Sequence, residues 1–146
     1  MNNLLGRLSR TIAATAAIAT LGFASAARAE LYAPEEVPSG GSINGVLSAD
    51  GIPTGLGGYA FDYVVDLDEG DRLELEAFSD SFDTILTLIG PNGATVAEND
   101  DGPDGTTNSL LYTRVSMSGR YTIRVRAFGA AGEGPFTVNL VRLRPI

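Results

Sequence analysis

Between Arg72 and Phe78 every second residue is apolar, with Leu73, Leu75 and Ala77 on one side of an extended chain and Glu74 and Glu76 on the other. That pattern suits a strand with one buried face and suits nothing helical. Arg120 to Phe128 repeats it, setting Tyr121, Ile123 and Val125 against Thr122, Arg124 and Arg126, and Phe136 to Leu140 closes with Phe136, Val138 and Leu140. Ser42 to Leu47, Tyr59 to Leu67, Asp83 to Ile89, Ala94 to Glu98 and Ser109 to Val115 add five further runs, and no window sustains a helical period. The reading is all-β, with about eight strands at the spacing of a β-sandwich. The matched charges suggest that Glu74 and Glu76 lie across from Arg124 and Arg126.

The stretch from Asp80 to Ser109 packs turns and acids most densely. Pro91-Asn92-Gly93 makes a hairpin turn, and the chain then runs through Ala94 to Glu98 into Asn99-Asp100-Asp101-Gly102.

The N-terminus reads as an export signal. Arg7 and Arg10 supply positive charge, Thr11 to Ala27 carries none, and Ala27-Arg28-Ala29 offers small residues for cleavage before Glu30. The uncharged run is rich in Ala and Thr and falls short of a bilayer span of about 20 strongly apolar residues. The expected organisation is therefore a signal peptide over 1–29, a leader with little structure of its own over 30–41, and one domain over 42–146. The expected location is secreted or periplasmic, with no membrane insertion after cleavage. All 18 acidic residues lie beyond the cut with seven arginines, so the processed chain carries a net charge of −11. Such a field repels nucleic acid and favours divalent cations or basic surfaces. The chain has no cysteine, so packing must supply its stability without disulfides.

Asp62-Tyr63, Val65, Leu67, Gly70-Asp71, Leu73 and Leu75 form an ordered series with Phe82-Asp83-Thr84, Leu86, Leu88, Pro91-Asn92-Gly93 and Asn99-Asp100-Asp101. The series continues through Ser109, Gly119-Arg120-Tyr121-Thr122-Ile123-Arg124-Val125 and Gly134-Pro135-Phe136. In this order the landmarks resemble the bacterial pre-peptidase C-terminal domain family, from about Ile43 to Leu143. Three departures stand out: Ala60 where the family often has Asp, Val65 for its usual aromatic, and a rearranged loop from Gly51 to Gly58. The resemblance implies a jelly-roll-like β-sandwich of two antiparallel sheets without catalysis. It also implies a role in secretion, stability, adhesion or binding, with an exported protease, a surface protein or a polysaccharide as partner.

The residue types absent from the chain narrow its chemistry. With no His, Cys or Lys there is no Ser-His-Asp triad, thiol nucleophile, Schiff base or zinc site of the usual composition. A small carboxylate hydrolase is the distant alternative; Asp83-Thr84 is followed by Ile85 where an aspartic protease has Gly, and no Trp is present to line a sugar cleft. No catalytic residue and no required cofactor are assigned. Asp83, Asn99, Asp100, Asp101 and Asp104, with Asp80 nearby, have oxygen ligands that would suit calcium, which takes six to eight. That makes a calcium-dependent polysaccharide- or protein-binding module the nearer alternative. The blander reading, which carries more weight, is that Asp83, Asn99 and Asp101 accept backbone N–H bonds and fix the loop as Asx-type turns that need no metal. Tyr63, Phe78, Phe82, Tyr112, Tyr121, Phe128 and Phe136 fall mostly at inward phases and read as core. Arg114, Arg120, Arg124, Arg126, Arg142 and Arg144 read as solvated charges balancing the acids, or as one basic face for an anionic polymer.

Overall fold

The computed structural model describes residues 32–143 except 39 and 104. The segment 1–29, read as a signal peptide, lies outside the described residues, as do Asp104 and Arg144. Ten strands form: β1 (Glu35–Glu36), β2 (Ser42–Leu47), β3 (Ile52–Pro53), β4 (Tyr59–Leu67), β5 (Arg72–Phe78), β6 (Thr84–Ile89), β7 (Thr95–Asn99), β8 (Ser109–Arg114), β9 (Gly119–Ala127) and β10 (Gly134–Leu143). No helix occurs among the described residues. One sheet runs β1-β4-β9-β6-β7, with β3 also paired to β4, and the other runs β2-β10-β5-β8. All pairings are antiparallel apart from β1 with β4.

The period of two does what it promised. Leu73, Leu75 and Ala77 of β5 and Phe136, Val138 and Leu140 of β10 enter the core from one sheet. Tyr121, Ile123 and Val125 of β9 meet them from the other, with Leu86 and Leu88 of β6. Each fully buried side chain of this size contributes about 1.5–3 kcal/mol. Phe136 packs edge-on against both Tyr63 and Phe82 with ring centres 6.2 Å apart. Gly45 makes room for this cluster, since a Cβ there would stand 2.4 Å from the Phe136 ring and 2.5 Å from the Tyr63 hydroxyl.

Three expectations need correction. Glu74 and Glu76 do not face Arg124 and Arg126, because β5 and β9 belong to different sheets. Arg124 instead makes a two-pronged ion pair with Asp62 at 2.7 and 2.8 Å, while Glu74 lies opposite Tyr112 and raises its pKa by hydrogen bonding. The leader is structured over part of its length. Glu35–Glu36 pairs with Tyr63 and Val64, the Val37 amide donates to the Val64 carbonyl at 2.8 Å, and the Val37 side chain is 2% exposed in the core. Glu35 also helps burial push the Tyr63 phenol up to about 12. Finally, Phe78, Tyr112 and Phe128 are exposed, whereas Tyr63, Phe82, Tyr121 and Phe136 are buried.

The described arginines are split between the sheets, so they form no single basic face. Acids balance them: besides Arg124 with Asp62, Arg126 lies 3.5 Å from Glu98 and Arg142 lies 3.4 Å from Asp71.

Candidate functional site

The acidic loop leaves β7 at Asn99, whose side chain organises it. Asn99 Oδ1 accepts the amides of Asp100 and Asp101 at 3.0 and 3.4 Å, and Nδ2 donates to the carbonyls of Asp101 and Leu110 at 2.7 and 2.6 Å. The Leu110 amide completes the stitch by donating to the Asp101 carbonyl at 3.2 Å. Further along, the loop is anchored where the Thr84 amide donates to the Thr107 carbonyl at 2.9 Å. There the buried hydroxyls of Thr84 and Ser109 sit 2.7 Å apart.

This geometry brings Asp83 toward Asp100 and Asp101. Burial raises the Asp83 pKa above the ordinary carboxylate value, and the charges of Asp101 and then Asp100 raise it further. Asp83 Oδ1 is buried with no hydrogen-bond partner among the described residues, while the Asp83 carbonyl accepts the Phe128 amide at 2.8 Å. Asn99 belongs to the same loop but spends both ends of its amide on backbone groups. Asp80 does not join the cluster; it lines a groove on the other sheet. Among the described residues no group of three or more acidic side chains is arranged to hold a metal ion.

Sequence reasoning missed what surrounds this cluster. A cavity of about 370 Å³ opens on the outer face of the six-stranded sheet, with Leu56, Ile85, Glu98, Asp100, Arg126 and Phe128 among its lining residues. Leu56 is 84% exposed and Phe128 is 59% exposed. The signal for Leu56 was present in the sequence. Gly55, Gly57 and Gly58 all adopt positive φ, so a lone leucine sits on a chain bent too sharply to tuck it inward. Glu98 is held in place from the floor by Thr87, whose hydroxyl donates to Oε2 at 2.7 Å.

The model of the bacterial pre-peptidase C-terminal domain family matches residues 59–127. Among solved structures, the pre-peptidase C-terminal domain of the collagenase from Bacillus anthracis aligns with a TM-score of 0.58 at 10% identity, covering 74% of this chain and 94% of that one. PliG of Aeromonas hydrophila, a periplasmic inhibitor of g-type lysozyme, aligns with a TM-score of 0.55 at 16% identity, covering 75% and 96%. At these identities the two structures share the fold with this chain. No curated protein matches it.

Proposed function

We propose, from the match of residues 59–127 to the bacterial pre-peptidase C-terminal domain family, that the chain is an exported, non-catalytic binding module that holds a cationic protein partner at its loop end. The observation that carries this reading is the company kept by the acidic cluster: Asp83, Asp100 and Asp101 adjoin a groove rimmed by the exposed Leu56 and Phe128. Apolar anchors beside unneutralised charge are the makings of a protein interface, where charge steers encounter and desolvated side chains slow release. The export signal read over 1–29 and the net charge of −11 beyond it agree with this. In Aeromonas hydrophila PliG the same fold serves a protein that inhibits g-type lysozyme, and in the Bacillus anthracis collagenase it forms a domain of a larger enzyme.

The test is calorimetric titration of the exported form with a panel of basic exported proteins, g-type lysozyme and secreted proteases among them. Binding is expected to weaken steeply with salt, and to be lost in Phe128→Ala and in the double variant Asp100→Asn, Asp101→Asn. Salt-independent binding, or variants that bind as the parent does, would overturn the reading. Export itself is checked by N-terminal sequencing of the secreted product, which should begin at Glu30.

One observation favours a calcium-dependent form of the same module. The unpartnered Asp83 Oδ1 beside Asp100 and Asp101 supplies charge for a hard cation. Asn99 would take no part as a side-chain ligand, so backbone carbonyls and water would complete the shell.

A further inference from the structure

A second groove, of about 550 Å³, lies on the outer face of the four-stranded sheet and shares no lining residue with the first. Its walls include Val46, Phe78 and Pro135, and its polar groups include Asn44, Asp80 and Asn108. Register places Asn44 of β2, Thr137 of β10 and Phe78 of β5 side by side across the sheet, so that the row from Asn44 to Phe78 spans about 10 Å. Asn108 directly precedes β8 and extends that row.

The groove is braced from beneath. The Ser79 hydroxyl donates to the Pro135 carbonyl at 2.9 Å and accepts the amides of Ser81 and Phe82 at 3.1 and 3.3 Å, tying three parts of the wall to one atom. Both amide side chains are oriented by their oxygen ends. Asn108 Oδ1 accepts the Ser79 amide at 3.1 Å, and Asn44 Oδ1 accepts the Thr137 hydroxyl at 2.8 Å. Each is thereby left with its Nδ2 donors for a ligand, and the Asp80 carboxylate supplies acceptors.

The geometry points to a binding site for an uncharged oligosaccharide, with Phe78 as the stacking platform and Asn44, Asn108 and Asp80 as its hydrogen-bonding groups. Sugar hydroxyls both donate and accept, which matches amide donors set beside a carboxylate, and the C–H face of a sugar ring suits an aromatic ring that is 38% exposed. No arginine lines the groove, and Asp80 repels anions, so an acidic glycan is a poor fit. The row is long enough for an oligosaccharide and too long for a single ring. This site stands on a different sheet from the protein-docking surface proposed above and does not depend on it.

The full chain, isotopically labelled, is titrated with cellotetraose and tetra-N-acetylchitotetraose as neutral probes and with tetragalacturonate as the anionic counterpart, and amide shifts are followed. One neutral probe is expected to saturate, moving Asn44, Phe78 and Asn108, with tetragalacturonate at least about tenfold weaker. Asn108→Asp keeps an acceptor for the Ser79 amide and replaces the donor by a charged acceptor oxygen. It is expected to weaken binding by about tenfold at unchanged melting temperature, as is Asn44→Asp. Phe78→Ala should abolish binding. Failure of both neutral probes to saturate at several millimolar, shifts that map to the loop end, equal binding of the anionic probe, or parental affinity in Asn108→Asp would each overturn the assignment.

Discussion

Gly45 has no room for a methyl group. With the Phe136 ring and the Tyr63 hydroxyl already within 2.5 Å of where a Cβ would stand, Gly45→Ala must displace the central aromatic cluster. The expected loss is about 1–3 kcal/mol, read from the urea midpoint. Asp83 acts on stability in the opposite sense. Its folded-state pKa lies above the ordinary carboxylate value, so in the window between the two the folded chain holds more protons than the unfolded one. Stability from this group is therefore gained as pH falls through that window and is lost as pH rises out of it. Asp83→Asn is expected to raise the urea midpoint at neutral pH and to flatten the acid side of the profile. Calcium at millimolar concentration should raise the parent melting temperature and leave Asp83→Asn unmoved; coincident parent curves in calcium and EDTA would sink the metal form of the proposal.

At the scale of strands, the N-terminal segment is the element whose weight is least visible in sequence. β1 is two residues long, yet it delivers Val37 to the core. Val37→Ala is expected to cost about 2 kcal/mol in denaturant unfolding, a loss that a loose leader would not show. What was legible follows from period. β2 and β5 begin and end where alternation begins and ends, because each buries one face, whereas β4 buries both faces from Asp62 to Val65. β1 and β3 were not legible, since two residues carry no period and their pairing is decided by β4. Strand neighbours were equally hidden: Glu74 and Arg124 are complementary as charges, but which sheet a strand joins depends on chain crossings that no local pattern records. At the candidate site, Asp83, Asp100 and Asp101 could be picked out as acids near turns. The spending of Asn99 on backbone groups and the outward turn of Phe128, one residue beyond the end of β9, follow from loop geometry alone.

Among the described residues two sheets share one core, and along one side hydrogen bonds join their edges, the Asn99 amide standing beside the Thr84–Ser109 hydroxyl pair. Asn99 is the last residue of β7 in one sheet, and its Nδ2 reaches the Leu110 carbonyl of β8 in the other. Replacing that nitrogen by oxygen would set a carboxylate against two carbonyls it now satisfies, those of Asp101 and Leu110. Asn99→Asp is expected to lower stability by about 3 kcal/mol, measured as a melting shift, and to speed hydrogen exchange in β7 and β8 together. Asparagine undergoes that same replacement spontaneously, as slow chemical ageing by loss of ammonia. Deamidation at Asn99 would thus loosen one side of the sandwich with age, a clock set by one of the groups that tie its sheets together.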